Sequence, residues 1–201
     1  MEHKYYLHPF IAANIDQILA DVNKGIPAGF KAKIISSYRS PAEQFELYKK
    51  GRKLVNNKWV KIGPVVTDKD GYLKLSRHNY LPAVAFDFGI FKGDQYLGES
   101  KYYANVQRGE KYGLFWGGNW STLVDRPHLE IPLAIVKGGL AKDSAMIWQR
   151  YLQKSGFYKG AIDGIFGPAS LKALKEETGE ADRNPVAWRK LFDKYQLLSW
   201  P

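Results

Sequence analysis

Ser76-Arg77-His78-Asn79-Tyr80-Leu81-Pro82-Ala83-Val84-Ala85-Phe86-Asp87 holds a histidine and, nine residues on, an aspartate. A proline lies between them, so the two are not a helical pair. His78 is expected to end a loop, and Asp87 to point inward from a strand over Val84 to Phe91. In that strand Val84, Phe86 and Phe88 alternate with Ala85, Asp87 and Gly89, which puts the carboxylate on the face with small neighbours. A carboxylate there needs a partner, and a metal is a good one. The chain has four histidines, His3, His8, His78 and His128. The last of them closes a second acidic stretch, Asp125-Arg126-Pro127-His128, beside a predicted strand over Leu129 to Ile131. A catalytic zinc takes three protein ligands, often two His and one carboxylate, and leaves a fourth position for water. His78, Asp87 and His128 make such a set, and Asp125 would be free to take a proton from the water.

Working outward, Ile11, Ile15, Ile18, Leu19 and Val22 predict a helix over Ile11 to Val22, and Phe30 to Ser36 reads as a strand. Ser40-Pro41-Ala42-Glu43 announces a helix running to Lys50, with Ser as N-cap, Pro in the first turn and Gly51 as the stop. Leu54 to Ile62 predicts a hairpin turning at Asn56-Asn57, and Asp70-Gly71 another turn. Asp68, Asp70 and Gly71 do not make a calcium loop, because the required later Glu is missing. Tyr102 to Tyr112 reads as a helix and Leu114 to Trp116 as a short strand. Helix and strand are mixed without a regular βαβ alternation, which makes the class α+β. After Lys137-Gly138-Gly139 the character changes to three helical segments, near Asp143 to Lys154, Pro168 to Gly179 and Asn184 to Leu198. The expected division is a main domain over 1–136, a linker over 137–141 and a small helical domain over 142–201.

The 201 residues include no cysteine, which excludes disulfides and thiolate metal sites. The first residues lack the basic start and apolar run of a signal peptide, and no apolar stretch approaches a membrane span. Net charge is +10, split as +7 up to Lys137 and +3 beyond it, with one dense run at Lys49-Lys50-Gly51-Arg52-Lys53. Such charge favours a polyanionic target. Nucleic acid is the weakest candidate, since no helix carries a concentrated Lys/Arg face.

Ser76-Arg77-His78-Asn79 through Pro82, Ala85 and Asp87, then Trp116-Gly117-Gly118-Asn119-Trp120 and Asp125-Arg126-Pro127-His128, resembles the D-alanyl-D-alanine carboxypeptidase/VanY-type zinc peptidases (peptidase M15). The closest branch is the phage-endolysin L-alanyl-D-glutamate peptidases, and the match covers roughly residues 28 to 132. The resemblance implies a Hedgehog-like zinc peptidase fold, zinc held by His78, Asp87 and His128, and Asp125 as general base. Two departures stand out. Many relatives place the Asp seven residues after the His, and many have Glu where this chain has Asp125. Glu130, two residues past His128 and on the same strand face, is the alternative base. The resemblance also places Arg39, in Tyr38-Arg39-Ser40-Pro41-Ala42-Glu43-Gln44, facing the substrate, where its fork would bind a carboxylate or the oxyanion. Gln44, Ser76, Trp116 and Trp120 are the further candidates for the substrate wall, Ser76 also as a donor orienting a ligand.

Leu152-Gln153, Gly156-Phe157-Tyr158, Ile162-Asp163-Gly164-Ile165-Phe166-Gly167-Pro168 and Leu171-Lys172-Ala173-Leu174 resemble the three-helix peptidoglycan-binding domain of cell-wall hydrolases. Together the two resemblances imply a zinc endopeptidase that cuts peptidoglycan stem peptides, between L-Ala and D-Glu, as a monomer. They imply an endolysin, made without a signal peptide and acting on the wall after release. The alternatives are a D-alanyl-D-alanine carboxypeptidase and a non-catalytic wall-binding protein with a structural zinc.

Overall fold

The computed structural model describes residues 2–98, 101–105, 109–136 and 138–199. Helices α1 (Pro9–Ala12) and α2 (Ile15–Lys24) precede strand β1 (Phe30–Ser36), helix α3 (Pro41–Lys49) and the strands β2 (Arg52–Val55) and β3 (Lys58–Lys61). Strands β4 (Ala85–Lys92), β5 (Gln95–Tyr96), β6 (Phe115–Trp116) and β7 (His128–Glu130) follow, then helices α4 (Leu140–Ser155), α5 (Pro168–Thr178) and α6 (Pro185–Tyr195). The class is α+β, as expected. Strands run β1-β4-β7-β6 in one antiparallel sheet, β5 adds to β4, and β2 and β3 stand apart as a hairpin.

Local chemistry explains most of these boundaries. Ser40 and Glu43 close a reciprocal capping box at the start of α3, with Ser40 N–H donating to Glu43 Oε2 at 2.8 Å. Gly51 sits at φ +74°, and a Cβ there would lie 2.0 Å from the Pro64 carbonyl oxygen. The hairpin turn uses Asn56 and Asn57 at φ 47° and 59°, the left-handed pair that a two-residue turn requires. Asp70 Oδ1 accepts from the N–H groups of Tyr72, Leu73 and Lys74, so its carboxylate organises a turn.

Three expectations are corrected. The single helix over Ile11 to Val22 is two helices, because Asn14 takes the N-cap position of α2 and its Nδ2 donates back to Phe10 O at 3.1 Å. The helix over Tyr102 to Tyr112 is replaced by short 3₁₀ turns at Lys101–Asn105 and Glu110–Tyr112. Gly109 between them is left-handed at φ 80°, and residues 106–108 lie outside the described residues. Helix α4 starts at Leu140, three residues before the expected Asp143.

Two buried clusters hold the chain. In the first, Ile11, Ile15, Ile18 and Val22 pack against Phe86, Phe88 and Ile90 of β4. The opposite face of β4 is thereby left for Asp87. The second joins Trp148, Tyr151, Leu174, Trp188 and Leu191 of the C-terminal helices, with ring centroids 5.1 Å apart for Trp148–Trp188. Leu81, from the loop before β4, belongs to this second cluster, and Tyr5 and Tyr6 pack against it. Among the described residues no helix is long and apolar enough to cross a membrane.

Candidate active site

The strand register makes the first half of the site. Strand β4 lies between β1 and β7, with Asp87 paired to Ser36 on one side and to His128 on the other. Directly opposed residues bring their Cβ atoms to about 4.5–5.5 Å, so Asp87 and His128 meet by virtue of the ladder alone. His78 arrives on a 3₁₀ turn, Arg77–Asn79, capped by Ser76, whose Oγ accepts from His78 N–H at 3.3 Å. The turn is laced to the chain beyond β1. Arg39 N–H donates to His78 O at 2.9 Å, and Asn79 Nδ2 donates to Arg39 O at 2.9 Å.

His78 Nε2, His128 Nδ1 and Asp87 Oδ1 form a triangle with sides of 3.2, 2.9 and 3.3 Å. A tetrahedral ion with bonds of 2.0–2.1 Å to each would set neighbouring donors about 3.3 Å apart. Tautomers agree with that use. His78 Nδ1 lies 2.6 Å from Ser37 O, an acceptor, so Nδ1 carries the hydrogen and Nε2 turns a lone pair inward. His128 Nε2 lies 3.1 Å from Glu130 Oε2, so it donates there and Nδ1 turns its lone pair to the same point. Three lone pairs aimed at one spot repel unless positive charge sits among them, a metal ion or, in the metal-free chain, a proton on His128 Nδ1 shared with Asp87 Oδ1 at 2.9 Å. Both histidines are buried and Asp87 is nearly so. In the metal-free chain, burial by itself would lower His128, but Asp87 and Glu130 push it up to about 9. Burial would raise Asp87, yet His78 and His128 hold it well below the usual carboxylate range. His78, Asp87 and His128 are thus a group that could hold a metal ion.

A cleft of about 990 Å³ opens over these residues, lined also by Arg39, Trp120, Asp125 and Glu130. Asp125 is half-buried, on the turn that delivers His128, whose N–H donates to Asp125 O at 3.3 Å. Gly117 crosses beneath, accepting from Asp125 N–H at 3.1 Å. A Cβ at Gly117 would lie 2.6 Å from Asp125 O and 3.0 Å from His128 Cβ. Glu130 faces the far side of His128 and also meets Arg77 Nε at 3.4 Å. Burial would raise its carboxyl, but His128 and Arg77 hold it below the ordinary value.

Arg39 is held flat by three partners: Ser36 Oγ at 3.0 Å, Gln44 Oε1 at 2.8 Å and Asp87 Oδ2 at 3.4 Å. Gln44 is buried and spends its own NH₂ on Lys69 O and Thr67 Oγ1, so it fixes Arg39 from behind. Trp120 stands beside His128 with ring centroids 5.0 Å apart. Trp116, expected in the wall, is corrected: it is buried in the core, and its indole N–H donates to Arg126 O at 2.7 Å. Ser76 lines the cleft while serving as the cap of the His78 turn. Sequence reasoning missed Ser37 and Arg77, the first because a backbone carbonyl leaves no side-chain signal. It also confined the dense charge to the run Lys49-Lys50-Gly51-Arg52-Lys53. Residues 49–74, whose Lys50 and Lys69 line the cleft, carry eight basic against two acidic side chains.

Residues 70–131 match the peptidase M15 family described as D-alanyl-D-alanine carboxypeptidase. Among curated proteins the chain is similar to the peptidoglycan L-alanyl-D-glutamate endopeptidase CwlK of Bacillus subtilis (strain 168). The two are 35% identical over 137 residues, covering 62% of this chain and 73% of the relative. Among solved structures it is similar to the L-Ala D-Glu endopeptidase ChiX of Serratia marcescens, with a TM-score of 0.45 and 20% identity over 66% of this chain and 86% of the other.

Proposed function

The chain belongs to the M15 peptidases, and from that premise we propose that it is a zinc-dependent peptidoglycan hydrolase cutting stem peptides between L-Ala and D-Glu. The observation that carries the metal reading is the convergence of three lone pairs, from His78, Asp87 and His128, on one buried point. The bond and the polymer rest on the resemblance to CwlK, whose activity is the L-alanyl-D-glutamate cut. Bound there, zinc supplies Lewis acidity toward the attacking water and the scissile carbonyl.

The chain's own residues do the remainder. Asp125 takes a proton from the water and returns it to the departing amine nitrogen. Arg39, immobilised by Ser36, Gln44 and Asp87, presents its remaining N–H groups to the oxyanion or to a stem-peptide carboxylate. Trp120 walls the cleft beside His128. Ligands, base and Arg39 all come from one chain, which fits a monomer. A bacteriolytic, endolysin-like role at the wall belongs to the same proposal.

Glu130 acts through His128. Glu130→Gln keeps the shape but weakens the hold on the His128 tautomer. It is expected to lower zinc affinity about 10–100-fold, read by competition with a chromophoric chelator. Unchanged affinity would remove Glu130 from the ligand-orienting role.

The test of the function is digestion of purified peptidoglycan by the zinc-loaded protein, with mass spectrometry of the new ends. New D-Glu amino termini are expected. Release of terminal D-Ala instead would make the protein a D-alanyl-D-alanine carboxypeptidase. No cleavage, with wall binding intact, would leave a non-catalytic wall-binding protein.

A further inference from the structure

We infer that the C-terminal helices brace the metal-site loop, with Ser144 and Trp148 of α4 acting as positioning residues through the carbonyl of Leu81. The inference rests on the peptidase reading for its catalytic consequence, but not for its structural one.

Leu81 lies three residues after His78 and six before Asp87, in the connection that sets one ligand against the other. Its carbonyl oxygen accepts two hydrogen bonds, from Ser144 Oγ and from Trp148 Nε1, each at 2.7 Å. Both donors are buried, and they stand four apart on one face of α4. A carbonyl has two lone pairs, and here both are used by one helix. The Leu81 side chain enters the C-terminal cluster beside Trp148 and Trp188, so the loop is a knob in the core of the helical unit.

The same helices reach the connection a second way. Ala83 N–H donates to Tyr6 O at 2.7 Å, and His8 N–H donates to Ala83 O at 2.8 Å. That N-terminal segment is itself tied to the helices. Trp188 Nε1 donates to Tyr5 O at 2.7 Å, and His8 Nε2 meets Asp143 Oδ2 at 2.9 Å with both side chains buried. His8 Nδ1 accepts from Phe10 N–H, which leaves Nε2 as the donor to Asp143. Leu140, the first residue of α4, lines the cleft directly.

A connection without regular structure defines its ends only as well as its backbone is held, and metal ligands tolerate errors of only about 0.2 Å. The strand ladder positions Asp87 and His128 without help, whereas His78 lies outside it and is held from two sides, by the chain after β1 through Ser37 O and Arg39 and by the connection through Leu81. The helical unit therefore has an intramolecular duty that a swinging wall anchor would lack.

The test is the full-length Ser144→Ala/Trp148→Phe variant, which removes both donors and keeps the aromatic ring in the core. Hydrogen exchange of the metal-free protein is expected to speed up across residues 78–87. Zinc affinity is expected to fall about 10–100-fold, the range for groups that orient ligands, and kcat to fall more than KM rises. Ser144→Thr, which keeps a hydroxyl, is expected to retain most of the wild-type affinity. Tyr151→Phe removes a different bond of the helical unit, to Gln196 O past the end of α6, and no bond to Leu81 O. That variant is expected to leave zinc affinity and exchange at 78–87 unchanged. Exchange at 78–87 equal to wild type in the double variant, or equal loosening in Tyr151→Phe, would overturn the brace. Failure of the wild type to bind zinc or cut peptidoglycan would sink the peptidase reading, and the exchange result would still decide the brace.

Discussion

Asp125→Asn is expected to lower kcat by about 10²–10⁴-fold, the share that a positioned general base supplies, with zinc affinity within a few-fold of wild type. Asp125 lines the cleft but does not contribute to the triangle of His78, Asp87 and His128. The substitution is close to isosteric and keeps the main-chain bonds of its turn, from Asp125 N–H to Gly117 O and from His128 N–H to Asp125 O. What is lost is the ability to accept a proton. The competing base is Glu130, whose carboxylate is occupied by His128 and Arg77 and held below its ordinary value. A carboxylate so engaged is a weak proton acceptor near neutral pH. Steady-state kinetics on a soluble stem peptide, with both variants fully zinc-loaded, separate the two. Near-wild-type kcat in Asp125→Asn and collapse in Glu130→Gln would transfer the role.

His78→Ala is expected to abolish both zinc binding and cleavage. The variant keeps a two-ligand remnant, Asp87 and His128, and leaves Ser37 O without the imidazole N–H that it accepts. The unpaired carbonyl adds about 1–3 kcal/mol of destabilisation, so activity alone would be ambiguous. Thermal unfolding with and without zinc resolves it. Zinc at a hundred times its dissociation constant adds about 2.7 kcal/mol to the native state. For a chain of this size that raises Tm by roughly 5–10 °C. Wild type is expected to show that rise and His78→Ala none. An equal rise in both would place the metal elsewhere.

Much of the site was legible because its chemistry rides on side chains at fixed spacing. The alternation around Asp87 identified the face it occupies, and strand pairing then set it opposite His128. The capping box at Ser40 and the Asn56-Asn57 turn were equally readable, since each is a local bargain between neighbouring residues. The helix over Ile11 to Val22 was misread at Asn14 because apolar periodicity continues across a break that one side-chain bond creates. Trp116 and Trp120 could not be told apart by composition. One packs into the core and the other beside His128, a difference that depends on the path of the Gly117-Gly118 turn.

The sequence by itself determined the α+β class, the candidate ligands and the candidate base, because residue type and strand periodicity carry that information. Only the tertiary structure decided which atoms converge, since the tautomers of His78 and His128 are set by Ser37 O and Glu130, partners that no spacing rule picks out. It alone decided that the C-terminal helices hold the Leu81 loop. That contact joins residues more than sixty positions apart through a backbone carbonyl, and a carbonyl looks the same at every position in a sequence.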